Sequence, residues 1–128
     1  MKSSFFILII FLLSVGCTEN LVTGRKQLSL VSEPELQAMA IPEYQTFLSQ
    51  NKVLNNKDAE MVQRVGSRIA AAIKSFYDKK GQPSVLAGYS WEFKLVEKAE
   101  VNAWCMPGGK VVVYTGLLPI MLNTEVRG

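Results

Sequence analysis

The chain has 128 residues, 48% of them apolar and 20% charged, which is the size and balance of a single folded domain. Fourteen Lys and Arg against eleven Asp and Glu leave a formal charge of +3, with the bases scattered, and this excludes the concentrated basic patch of a nucleic-acid groove. There is no histidine, so a nucleophilic triad built on that side chain is excluded too.

Residues 1–16 have the layout of a secretory signal, with Lys2 as the positive end, Phe5 to Leu13 as an unbroken apolar run, and small residues before Cys17. The apolar run reaches only about half the ~20 residues of a transmembrane helix, so it is not expected to remain as a span. Ser14-Val15-Gly16-Cys17 resembles the lipobox of bacterial lipoproteins, with Leu13 one residue further back than the usual leucine. Acylation of Cys17 is therefore expected, the alternative being an ordinary signal followed by an unrelated cysteine. Residues 17–31 read as the lipidated tether and a short extended segment. With Cys17 lipidated, Cys105 has no partner for a disulfide and is expected as a small buried hydrophobe in a strand.

A domain is expected over 32–128. Ser32-Glu33-Pro34-Glu35 matches a capping box, so a helix should start at Ser32 and carry Leu36, Met39, Ala40, Tyr44, Phe47 and Leu48 on one side. Pro42 removes a backbone donor and predicts a kink or restart near Ile41. Asn55-Asn56-Lys57-Asp58 offers caps for a second helix, whose core stripe is read as Val62, Val65, Ile69, Ile73 and Phe76. Lys79-Lys80-Gly81 should end it.

Trp91 to Leu95 alternates apolar and charged residues and reads as a half-buried strand. Val101 to Met106 and Lys110 to Tyr114 flank Pro107-Gly108-Gly109 and read as a hairpin. The run Val111-Val112-Val113 suits a strand covered on both faces. Thr115-Gly116 should open a last short helix. The order predicts an α+β fold with two N-terminal helices and a small antiparallel sheet.

The stretch Val101 to Leu118, VNAWCMPGGKVVVYTGLL, resembles the segment that precedes the zinc-binding helix in metallopeptidase family 48, the zincin family that includes HtpX-like proteases and CAAX prenyl endopeptidases. Asn102, Ala103, Trp104, Pro107, Gly108, Gly109 and Tyr114 to Leu118 carry the likeness. Thr23 to Leu28, Val62 to Gly66 and Trp91 to Phe93 extend it in the same order along the chain. The family's H-E-x-x-H motif, two histidines one helical turn apart that bind zinc around a general base, has no counterpart here. Glu125 still fits the family pattern, whereas Val126-Arg127-Gly128 does not.

The resemblance implies the N-terminal portion of an incomplete zincin-like domain, from a lipid-anchored zinc metalloendopeptidase of the bacterial cell envelope that faces the periplasm. Zinc is implied for the complete family member, and no metal or catalytic residue is expected on this chain. Its substrates would be unfolded or misassembled envelope polypeptides, met along the strand edge at Asn102, Ala103 and Trp104, with no nucleic acid involved. The alternative for these three residues is a core role for Ala103 and Trp104 and a cap on a bulge for Asn102. For the molecule, the alternative is a non-catalytic lipoprotein module that binds envelope peptides or a partner protein.

Overall fold

The computed structural model describes Cys17–Glu19, Lys26–Leu28 and residues 30–125, with side chains from 30 to 122. The expected signal segment and Val126 to Gly128 lie outside the described residues. The chain divides into two units, Met1–Ser32 and Glu33–Gly128. In the first, β1 (Cys17–Glu19) pairs antiparallel with β2 (Lys26–Leu28).

The second unit is α+β. Helix α1 (Glu33–Gln50) is followed by β3 (Val53–Leu54), α2 (Lys57–Lys79), a 3-10 turn at Pro83–Leu86, β4 (Glu92–Val96), β5 (Ala103–Met106), β6 (Lys110–Tyr114), a 3-10 turn at Thr115–Leu117 and α3 (Leu118–Glu125). The order across the sheet is β3-β4-β6-β5. This corrects the expected antiparallel sheet. β4 and β6 run parallel, Glu92 to Val96 against Lys110 to Tyr114, while the other pairs are antiparallel. The physical reason lies in residues 97–102, which carry the chain past one strand position, so that the hairpin folds back and inserts β6 between β5 and β4.

Strand alternation divides the core into two layers. On one face, Tyr44 of α1 packs with Val96, Val112 and Tyr114, joined by Phe47, Leu48, Trp104 and Met106. On the other, Ala59 and Val62 of α2 pack with Leu95 and Leu118, joined by Leu54, Phe93 and Val113. Leu95, Val96 and Val112 are fully enclosed, each a burial of about 1.5–3 kcal/mol.

Three local expectations need correcting. The buried stripe of α2 is Ala59, Val62, Gly66 and Ala70, while Val65, Ile69 and Phe76 are exposed. The small residues face inward because α2 lies close on β4: a Cβ at Gly66 would overlap the Phe93 ring. Helix α1 runs unbroken through Pro42, which stands on its exposed side, where water can meet the carbonyl left without a donor. Cys105 is exposed, because β5 is an edge strand and its α2-side face is uncovered.

The ends of α2 follow the sequence closely. Asn56 Oδ1 accepts from the Ala59 amide at 3.0 Å, and Gly81 turns left-handed at φ +68°. The hairpin needs its two glycines, with φ near +85° at Gly108 and +84° at Gly109.

Candidate substrate-edge site

Asn102, Ala103 and Trp104 lie in succession at the start of β5, and they do not converge on one pocket. Ala103 pairs with Val113 and is exposed on the α2 side of the sheet. Trp104 turns to the α1 side, where its Nε1 donates to Tyr114 Oη at 3.0 Å and its ring meets Phe47 edge-on at 4.8 Å. Asn102 is exposed at the entry, and its carbonyl accepts from the Tyr114 amide at 3.0 Å. What the three share is backbone. β5 pairs with β6 on one side, and among the described residues no strand lies along its other side. A free strand edge presents alternating amides and carbonyls that an extended polypeptide can pair with.

On the α2 face of β4 and β6, one strand in from this edge, lies an apolar trough of about 430 Å³. Val65 and Ile69 form one wall, Phe93, Val111 and Val113 the floor, and Met121 and Leu122 the far rim. Val111 and Val113 are therefore only half-buried, whereas Val112 beneath α1 is enclosed. The apolar run expected to be covered on both faces is fully covered on one.

Two side-chain clusters tie β4, β6 and the turn after β6 to their neighbours, and neither was legible as such in the sequence. Lys110, the first residue of β6, is a lysine only 8% exposed. Its ammonium donates to the Ser90 carbonyl at 2.7 Å and to Glu92 Oε1 at 2.6 Å. Tyr44 Oη donates to Glu92 Oε2 at 3.4 Å, tying α1 to the same carboxylate. The hydrogen bond from Lys110 is the main reason the Glu92 carboxyl stays below the usual carboxylate range. Burial, followed by the Glu92 charge, pushes the Tyr44 phenol up, so it remains a donor.

The second cluster joins Thr115 and Gly116 to Lys98. The Thr115 hydroxyl accepts from the Lys98 amide at 3.1 Å and donates to the Lys98 carbonyl at 2.9 Å. The Tyr-Thr-Gly text carried part of the resemblance, yet it held no sign of this contact, because Lys98 lies 17 residues away.

Cys105 stands on the exposed face of β5, and partial burial of its sulfur raises the thiol, which keeps it protonated and weakly nucleophilic at neutral pH. The donor set does not fit zinc. The chain has no histidine, and among the described residues no group of three or more Cys, Asp or Glu could hold a metal ion.

A profile of "Peptidase family M48" matches residues 56–128, from the N-cap of α2 to the end of the chain. The bovine mitochondrial metalloendopeptidase OMA1 is 25% identical over 118 residues, 91% of this chain and 22% of that protein. The Arabidopsis thaliana mitochondrial metalloendopeptidase OMA1 is 57% identical over 35 residues, 27% of this chain and 7% of that protein. A DNA ligase of Rickettsia akari is 26% identical over 99 residues, 73% of this chain and 14% of the ligase. The chain thus spans about a fifth of the bovine relative's length or less in each case.

Proposed function

Since this chain belongs to peptidase family M48, we propose that it forms the substrate-binding wall of a lipid-anchored zinc metalloendopeptidase, with the zinc-binding and hydrolytic residues supplied by another part of the full-length protein. The observation that carries this reading is the free edge of β5, one strand away from an apolar trough over β4 and β6. Backbone pairing along that edge would hold an extended polypeptide in place with little preference for sequence, which suits unfolded or misassembled envelope proteins as substrates. The apolar lining of the trough would suit one face of the helix that bears H-E-x-x-H in the family. On this reading the chain contributes the wall and not the peptidase centre, since it has no histidine with which to bind zinc in the family's way.

The test compares the 128-residue chain with the native product of its locus, each incubated with zinc and fluorescein-labelled casein. The native product is expected to release fluorescent peptides, with loss of activity on chelation, and the 128-residue chain to release none. Cleavage by the 128-residue chain alone would overturn the division of labour. A native product that binds casein and never cleaves it would favour the non-catalytic lipoprotein module instead.

Attachment to the membrane through acylated Cys17, on the periplasmic side of a bacterial envelope, belongs to the same reading. It rests on the signal layout and the lipobox-like Ser14-Val15-Gly16-Cys17. Among the described residues, no helix is long and apolar enough to cross a membrane. The variant Cys17→Ser is expected to stop incorporation of labelled palmitate and to move the protein out of the membrane fraction. Retention of both label and location would exclude the anchor.

A further inference from the structure

The six residues between β4 and β5, Glu97 to Asn102, decide where the edge strand begins. They are held at one end by the turn that follows β6 and at the other by Tyr114, the last residue of β6. At the near end, the Thr115 hydroxyl satisfies both backbone groups of Lys98, and the Gly116 amide donates to the same Lys98 carbonyl at 2.9 Å. At the far end, the Tyr114 amide holds the Asn102 carbonyl at 3.0 Å. Gly116 passes so close beneath the loop that a Cβ there would overlap the carbonyl oxygens of Ala99 and Glu100. The Lys98 ammonium lies over the rings of Phe47 and Tyr114, at 5.5 and 5.2 Å from their centroids, and Phe47 in turn packs on Trp104 of β5.

These contacts exceed what closing a loop requires. Ala99 to Asn102 are exposed between the two anchors, so burial of their side chains does not hold this stretch. A strand edge that must receive a polypeptide has to be ordered before the partner arrives, since any ordering left until then is subtracted from the affinity.

We propose that Thr115 and Gly116, acting through Lys98, are positioning residues that preset the free edge of β5 for pairing with a polypeptide. This inference rests on the reading of β5 as the substrate edge. Thr115 contributes the hydroxyl that serves both backbone groups of Lys98, and Gly116 the close approach that no side chain permits.

The test uses the 128-residue chain carrying Cys17→Ser, which removes the expected acylation site. Two quantities are read: hydrogen exchange at the Trp104 and Met106 amides of β5, and retention of a reduced, carboxymethylated, fluorescein-labelled polypeptide. Thr115→Val is expected to speed that exchange about tenfold and to weaken retention about tenfold, the effect of losing one or two net hydrogen bonds. Near-UV dichroism should stay native. Thr115→Ser, which keeps the hydroxyl, should restore both readings.

A folded Thr115→Val with unchanged β5 amide exchange and unchanged retention would overturn the proposal. If Thr115→Val does not fold, hydrogen exchange on the unaltered chain decides. Lys98 and Gly116 amides protected like those of the sheet support the proposal, and exchange at loop rates overturns it. Faster β5 amide exchange in a Thr115→Val chain whose parent never retains the polypeptide would leave the positioning role standing and remove the substrate-edge reading. Retention that Thr115→Val leaves intact would do the reverse.

Discussion

Lys110 shows how a residue's partners outweigh its chemical type. A lysine only 8% exposed would be costly without acceptors for its ammonium, and it has two, the Ser90 carbonyl and the Glu92 carboxylate. Because Glu92 is more acidic in the folded chain, the folded state favours its ionised form. The stabilisation is complete above the unfolded carboxyl value of about 4.3 and is lost as pH falls through the lower folded value. Below about pH 4.3 the thermal midpoint of the native chain should therefore fall faster than that of Glu92→Gln, which has no carboxylate to protonate. Parallel curves would show that the Lys110 contact does not favour the charged form. Since the Glu92 side chain is 41% exposed, the effect should remain well short of that of a fully buried pair.

At the scale of elements, α2 was placed correctly by its caps and rotated wrongly by its composition. Val65, Ile69 and Phe76 are the large apolar residues, but the close approach to β4 selects Ala59, Gly66 and Ala70 for the buried side. Gly66 tests this. Alanine in a helix interior is favoured over glycine by about 1 kcal/mol, whereas overpacking a filled contact costs about 1–3 kcal/mol. To admit the methyl, the Phe93 ring would have to leave its place against Trp91, stacked at 6.1 Å, and swing out over the trough, so packing should win. Gly66→Ala is expected to lower the unfolding free energy in urea by about 1 kcal/mol. A gain in stability would mean that α2 stands further from β4 than described here.

For the molecule as a whole, the unusual feature is an apolar trough without a cover among the described residues. The two core layers close without it, around Leu95, Val96 and Val112. Its walls include Ile69, 55% exposed, and Leu122, 44% exposed. The isolated chain should therefore bind an apolar dye and self-associate. Ile69→Lys is expected to reduce both dye fluorescence and the sedimenting oligomer, while changing the unfolding free energy by no more than about 0.5 kcal/mol. A large loss of stability would assign Ile69 to the core after all.

Caps, glycines and strand alternation determined much of this protein from the sequence by itself. Asn56 before α2, Gly81 after it, and Gly108 and Gly109 in the hairpin act on their near neighbours, so their signals survive without any knowledge of the fold. The ordered text from Val62 to Leu118 pointed to the peptidase family for a similar reason, since it preserves residues whose spacing along the chain is itself informative. Only the tertiary structure decided the parallel pairing of β4 with β6, the inward side of α2, the exposure of Cys105, and the contacts of Lys110 and Thr115. Each depends on which distant segment comes to lie alongside, and local propensity is blind to that. Trp104 joins the two kinds of information: its place on an edge strand was readable, but the direction in which its ring turned was set by Phe47 and Tyr114.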